Sequence, residues 1–282
     1  MRRGLAVLLA FATCAAGALG APRPKPHVTL VADSVGAALA WDGPAARIFA
    51  RGLDADLELK GCRRLVTASC AVGGAPAPES ALETIRRLGA RVGPSVVIDV
   101  GYNDYPTVYA PGIEQVLRAL RAAHVEHVFW VTLHASRGAY LHTNSAILGA
   151  ARRHPEMTVI DWNACAAGHA DWFAEDGLHL TGAGAQGHAA CLHDAVVAVL
   201  RIEVSLSFPP GATPGFHAVL HARGGTPPYR FAVRGLPRGL HASPAGSIHG
   251  SLDGAGRFLL QVTVRDAAGR RTAASIPLVV SS

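Results

Sequence analysis

The sequence predicts an α/β domain built on a central parallel sheet, followed by a smaller all-β domain. Three observations predict it. From His27 to about Ile202, short apolar runs alternate with amphipathic stretches. Several runs are rich in Val, Ile and Leu at successive positions, as strands covered on both faces are. From Glu203 onward no helical period persists, and short alternating runs punctuated by Gly and Pro take over.

The segment ahead of His27 belongs to neither domain. Arg2 and Arg3 precede an apolar run from Leu5 to Leu19, and Ala18 and Gly20 supply the small residues of a cleavage site before Ala21. Residues 1–20 read as a secretory signal peptide. A retained anchor is the competing reading, but a span needs roughly 20 apolar residues and this run is short. No later stretch is long and apolar enough for a stable membrane span. The expected location is therefore outside the cell or at its envelope.

The candidate strands of the first domain (27–202) are Val28–Ala32, Asp56–Lys60, Ser95–Val100, His127–Leu133 and Met157–Asp161. Helical signals lie between them. Ser80 and Glu83 form a capping box ahead of Ile85 and Leu88. Ile113, Val116, Leu117 and Leu120 share one helical face. Asn144 is placed to cap a helix carrying Ile147, Leu148 and Ala151. A last helix runs through Ala189, Leu192, Val196 and Leu200. This alternation is the pattern of a helix-covered parallel sheet. The second domain (203–282) offers strands at Val204–Phe208, Phe216–His221, Tyr229–Val233, Phe258–Val264 and Thr272–Val280, with a turn at Pro209-Pro210-Gly211. It reads as a small β-sandwich.

Half the residues are hydrophobic and 16% are charged, which excludes a disordered chain. Removing Arg2 and Arg3 takes the formal charge from +6 to +4. The arginines are scattered, in pairs such as Arg63-Arg64 and Arg152-Arg153, so they read as a solvated surface and no nucleic-acid partner is expected. Cys62, Cys70, Cys165 and Cys191 follow the signal segment. An even count in an exported chain implies two disulfides. Three pairings exist, and Cys62–Cys70 with Cys165–Cys191 is the favoured set. No Cys-x-x-Cys pair points to zinc, and no metal or other cofactor is expected.

Three short motifs carry chemistry. Val31-Ala32-Asp33-Ser34 ends the first strand, where ligands of open α/β sheets bind. Taken alone, the Asp33-Ser34 pair is better explained as a helix cap. Asp176-Gly177-Leu178-His179 sets a carboxylate three residues before a histidine, a spacing that lets it orient the ring. Gly101-Tyr102-Asn103-Asp104 ends the third strand, where an amide can donate to a developing oxyanion or simply close a turn. The backbone N–H of Gly61 is a second candidate donor, with Gly73-Gly74 competing for that role.

With these motifs in this order, the chain from His27 to Leu200 resembles the SGNH hydrolases, also called the GDSL esterase/lipase family. Ala32-Asp33-Ser34 stands at the family's Gly-Asp-Ser element, and the other motifs match its Gly-x-Asn-Asp and Asp-x-x-His elements. The resemblance implies a three-layer α/β/α fold with Ser34, Asp176 and His179 as a catalytic triad. It implies an oxyanion hole of the Ser34 and Gly61 amides and the Asn103 side chain, with Asp33 and Asp104 in support. Ala32 departs from the family's glycine. The implied activity is hydrolysis of a small-molecule or glycan carboxylic ester. Two alternatives stand beside it: glycan binding without turnover, and acyl transfer to a sugar.

Other signals are read differently. Gly182-Ala183-Gly184-Ala185-Gln186-Gly187 fits a dinucleotide pattern but lacks its preceding strand, so it is read as the start of a helix capped by Thr181. Trp162 either lines the cleft or packs. Gly225-Thr226-Pro227-Pro228-Tyr229, Gly235-Leu236-Pro237 and Val264-Arg265-Asp266-Ala267-Ala268-Gly269 resemble bacterial immunoglobulin-like domains. That resemblance implies spacing, or attachment to a cell wall or surface, and no catalysis.

Overall fold

The structure is a computed structural model, and it describes residues 25–71, 73–208, 215–225, 227–252, 254–267 and 271–280. The signal segment, the Pro209-Pro210-Gly211 turn and the end of the Asp266-Ala267-Ala268-Gly269 motif lie outside the described residues. The chain divides into two units, one running up to Val196 and the other beginning at Val197.

The first unit is an α/β domain on a parallel sheet of order β2-β1-β3-β4-β5. The strands are β1 (His27–Ala32), β2 (Asp54–Leu59), β3 (Ser95–Asp99), β4 (His127–Val131) and β5 (Met157–Ile160). Each starts and ends within two residues of its predicted limits. The helices α1 (Ala38–Trp41) and α2 (Gly43–Phe49) follow β1, and α3 (Ala81–Leu88) follows β2. After β3 comes α4 (Pro106–Ala122), and after β4 comes α5 (Gly138–Ala151). The short α6 (Trp162–Cys165) and the long α7 (Gly182–Leu200) follow β5.

The apolar runs explain the layering. Val31, Val96, Ile98, Val128 and Trp130 point to one face and pack with Ile85 of α3, Ile113 and Val116 of α4 and Ile147 of α5. Their neighbours along the strands, Leu30, Val97, Phe129 and Val131, are just as fully buried on the other face. Only β2, at the edge, is mostly exposed or half-buried, which is why its sequence carries Asp and Glu. Ala32 pairs in register with both Leu59 and Asp99, so the loops after β1, β2 and β3 leave the sheet together. The strand order reverses between β1 and β3, which opens a crevice at that end.

The local signals had mixed outcomes. The capping box at α3 forms: the Ser80 N–H donates to Glu83 at 2.8 Å and the Glu83 N–H donates to Ser80 Oγ at 3.3 Å. Asn144 does not cap. It lies in the middle of α5, buried, and its amide pairs with the Leu133 backbone, accepting from N–H at 2.7 Å and donating to C=O at 2.8 Å. Among the described residues, strand pairing of this segment ends at Thr132, and at Leu133 a side-chain amide takes its place. Trp162 packs, fully buried, with its ring parallel to that of Trp172.

The glycine pattern before and within α7 also has a packing explanation. A Cβ on Gly184 would collide with the Trp172 backbone, and one on Gly187 would collide with its indole. The two glycines form a bed for Trp172, which anchors the segment that contains Asp176 and His179. Thr181 Oγ1 accepts from the Gly184 N–H at 3.2 Å at the start of the helix. Cys165 and Cys191 are bonded, tying the end of α6 to α7 across 26 residues and so closing that segment at its base. A loop of that length contributes about 3–4 kcal/mol.

The second unit contains two antiparallel sheets. One runs β6-β7-β10-β9, from β6 (Glu203–Ser207), β7 (Phe216–Arg223), β9 (Leu240–Ala242) and β10 (Ser247–Gly250). The other runs β12-β11-β8, from β8 (Arg230–Arg234), β11 (Gly256–Arg265) and β12 (Arg271–Val280). Val204, Leu220 and Ile248 of the first sheet share one core with Leu260, Val262 and Leu278 of the second.

The bed for Trp172 makes a prediction. Gly184→Ala should overpack it and cost about 1–3 kcal/mol. Gly138→Ala, where the added Cβ meets open space at the start of α5, should be neutral or stabilising. Thermal melts of the two variants check this, and equal melting temperatures would contradict it.

Candidate active site

The turn after β1 is built around Asp33. Its carboxyl is fully buried and accepts from three backbone N–H groups: Val35 at 3.1 Å on one oxygen, and Gly101 at 3.0 Å and Tyr102 at 3.1 Å on the other. One side chain therefore fixes both the Ser34 turn and the loop after β3. Burial outweighs these bonds and pushes the Asp33 pKa up to about 6. The helix-cap alternative does not hold: α1 begins at Ala38 with Ala37 at its N-cap and no side-chain cap bond, so Asp33 instead closes the Ser34 turn and crosses to the next loop. Gly36 lies against the Ala32 methyl, so the alanine that departs from the Gly-Asp-Ser pattern is accommodated by the glycine four residues later.

Ser34, half-buried in this turn, has its Oγ 3.1 Å from His179 Nε2. Asp176 Oδ2 is 2.6 Å from His179 Nδ1. The other Asp176 oxygen accepts from the Leu178 and His179 N–H groups, each at 2.9 Å. Those bonds close a tight turn, with Gly177 at φ +65° and the Ala174 N–H donating to the His179 carbonyl at 2.7 Å. The three-residue spacing thus lets one carboxylate hold both the backbone and the ring of the same histidine. The bond to the ring, then those to the backbone, draw the Asp176 pKa down to about 2, so the carboxylate stays ionised at any ordinary pH. With the ring proton held on Nδ1 by Asp176, Nε2 faces the hydroxyl as an acceptor. The His179 and Asp176 side chains are 51% and 46% exposed, so the site is an open cleft.

The loop after β2 carries Gly61, exposed and just past the strand. Cys62, at φ +60°, follows in a conformation that non-glycine residues rarely adopt. Cys62 and Cys70 are bonded, and the Cys70 N–H donates to the Cys62 carbonyl at 3.3 Å. Gly73 and Gly74, the competing pair, lie exposed beyond this small ring. The same loop is fastened to the one after β3. Asn103 donates from its amide to the Arg63 carbonyl at 3.2 Å, and Arg64 Nε donates to the Asn103 carbonyl at 2.9 Å. Both Asp104 oxygens accept from the Leu65 N–H, at 3.0 and 3.1 Å.

Arg63 corrects an expectation. Taken from the sequence as a solvated surface residue, it is 1% exposed. Its guanidinium donates to the carbonyls of Glu79 at 3.1 Å, Ala32 at 3.4 Å and Glu58. It therefore joins the ends of β1 and β2 to the residue that precedes the Ser80 cap. The sequence assigned no role in the site to Asp99 or His188, both buried under the Ser34 turn. Charged residues on otherwise apolar elements were the available signal. Among the described residues, no group of three or more His, Cys, Asp or Glu could hold a metal ion, and no helix is long and apolar enough to cross a membrane.

No protein-family model matches the chain. The chain is similar to the peptidoglycan O-acetyltransferase OatA of Listeria monocytogenes, 42% identical over 65 residues, which is 23% of this chain and 10% of that protein. It is similar to YrhL of Bacillus subtilis, 32% identical over 92 residues, which is 33% of this chain and 14% of that protein. It therefore spans only a small part of the length of the curated relatives it matches. Among solved structures it is similar to TesA, at 16% identity and a TM-score of 0.48, over 60% of this chain and 97% of that one. An inhibitor-bound aryl esterase of M. smegmatis is similar at 14% identity and a TM-score of 0.45, over 61% of this chain and 98% of that one.

The Asp104 carboxyl, mostly desolvated, has its pKa raised to about 6 by burial. Its contribution to stability is therefore greatest below about pH 4 and is lost as the pH rises through about 6. Asp104→Asn, which keeps an acceptor for the Leu65 N–H, removes that loss. The melting temperature of the variant relative to wild type should be higher at about pH 7.5 than at about pH 4.5. A difference that does not change with pH would contradict the raised value.

Proposed function

We propose that this chain is an SGNH-type serine esterase that acts outside the cell on small acyl esters, with O-acetyl groups of a glycan as the favoured substrate class. The observation that carries the reading is the hydrogen-bonded series Ser34–His179–Asp176. Ser34 attacks the ester carbonyl as His179 takes its proton. The Ser34 and Gly61 amides and the second N–H of the Asn103 amide receive the oxyanion. His179 then protonates the leaving alcohol, and water repeats the cycle on the acyl-enzyme.

The open cleft supports a substrate presented on a polymer. A base that is half exposed suits a short acyl group on a bulky carrier better than a long chain needing an apolar tunnel. Two disulfides and an apolar N-terminal run support export. In this reading the β unit is an immunoglobulin-like attachment module for the wall or cell surface.

A second reading has its own support. OatA, 42% identical over its matched segment, is named as a peptidoglycan O-acetyltransferase. The same residues would then pass the acyl group from Ser34 to a sugar hydroxyl, with His179 deprotonating the acceptor in place of water.

Fluorophosphonate labelling tests the shared core of both readings. The wild type should label and Ser34→Ala should not, with the melting temperature little changed. Asp176→Asn should fold and lose about 10²–10⁴ in kcat on a chromogenic acetyl ester. Residual Ser34→Ala activity within about tenfold of wild type would overturn the assignment. Adding glycan oligomers to the ester assay separates the readings: free acetate supports the esterase, and acetylated oligomer supports the transferase.

A further inference from the structure

We propose that Asp99 is a positioning residue for the nucleophile: paired with His188, it clamps the Ser34–Gly36 turn against α7. This inference rests on the reading of Ser34 as the nucleophile.

The contacts place Asp99 under the turn. It is the last residue of β3, and its carbonyl accepts from the Asp33 N–H at 3.0 Å. Its carboxyl lies against Gly36, where any Cβ would collide with Oδ2. That carboxyl and the Ala32 methyl together occupy the space a side chain at position 36 would need. On its other side Oδ2 is 3.5 Å from Nε2 of His188, which lies on the buried face of α7. Asp99 is 1% exposed and His188 is fully buried. The Trp162 ring meets the imidazole edge-on, with centroids 4.5 Å apart.

The chemistry assigns the pair a form. Among the described residues, neither Asp99 oxygen and neither His188 nitrogen has a hydrogen-bond partner. Each such buried group costs about 1–3 kcal/mol unless it is satisfied. A shift of a few tenths of an ångström brings Oδ2 and Nε2 to hydrogen-bond distance. Burial and the neighbouring Asp33 charge hold the Asp99 carboxyl well above the usual carboxylate range, and burial pushes His188 down to about 3. Both shifts favour the uncharged pair, with the proton on Asp99 facing Nε2 across 3.5 Å. A neutral carboxyl here serves the reaction. An ionised one would add a second negative charge beside Asp33, below the serine where negative charge must develop.

The clamp joins two parts of the candidate machinery. The Ser34 turn follows β1, while His179 directly precedes α7. A link from Gly36 through Asp99 to His188 bears on the distance between Ser34 Oγ and His179 Nε2. Errors of about 1 Å in such geometry can cost about 10² in rate.

The test compares Asp99→Asn, Asp99→Leu and the double variant Asp99→Leu/His188→Phe for melting temperature, kcat, KM and rate of fluorophosphonate inactivation. Asparagine keeps a donor for Nε2 and should stay within about threefold of wild type in kcat. Asp99→Leu should lose about tenfold or more in kcat and in inactivation rate, with KM within about twofold. The double variant replaces both polar partners by apolar groups, so it should regain stability but not rate. Infrared difference spectra of wild type against Asp99→Asn at neutral pH should show the C=O band of a protonated carboxyl. Equal inactivation rates per folded molecule in Asp99→Leu or the double variant would overturn the proposal and leave the Ser34 reading intact. A folded wild type that never labels would overturn both. If Asp99→Leu fails to fold, the double variant and the infrared band still decide.

Discussion

The buried Asp33 carboxyl is the interaction on which the rest of the candidate site depends. It accepts from Val35 on its own turn and from Gly101 and Tyr102 on the next loop. Those bonds join the loops that follow β1 and β3, the two paired strands at which the strand order reverses. Without that acceptor three buried N–H groups would be left unpaired, and both the Ser34 turn and the Asn103 loop would lose their common anchor. Burial raises its pKa, and the backbone donors only partly offset that rise. The structure thus spends electrostatic free energy where the loops after β1 and β3 must hold a fixed relation.

Around that anchor each loop has its own fastening. The loop after β2 is closed by Cys62–Cys70 and bound to the loop after β3 through Arg63, Arg64 and Asp104. The segment with Asp176 and His179 is closed by Cys165–Cys191 and seated by Trp172 on Gly184 and Gly187. The final approach of His179 is local, because Asp176 holds both its backbone and its ring. The open site is kept in place by covalent closure and buried polar contacts.

Much of this was legible in the residues. Strand positions followed from runs such as Val28–Ala32 and Ser95–Val100, because covered parallel strands demand apolar side chains on both faces. The even cysteine count and the pairing favoured from it match the bonds present. Ser34, His179 and Asp176, which are 145 and 3 residues from one another in the chain, meet as hydrogen-bonded neighbours. What stayed illegible was long-range and polar. Asn144 looked like a cap because amides favour caps; only the position of Leu133 in space shows that it completes a backbone pair. Arg63 looked solvated because its three carbonyl acceptors lie up to 31 residues away. β9 and β10, with three and four residues, are too short to leave a periodic signature. Asp99 and His188 gave no motif, since a buried acid and a buried imidazole are informative only as a pair.

The central claim is that Ser34 carries an acyl group during turnover. Rapid quenching of the mature protein with a chromogenic acetyl ester, followed by peptide mass spectrometry, tests it directly. The account predicts one added acetyl group on the peptide containing Ser34, formed during the first turnover and absent in His179→Ala. An active protein that releases product with no acetyl on that peptide, or with acetyl on another residue, would contradict it.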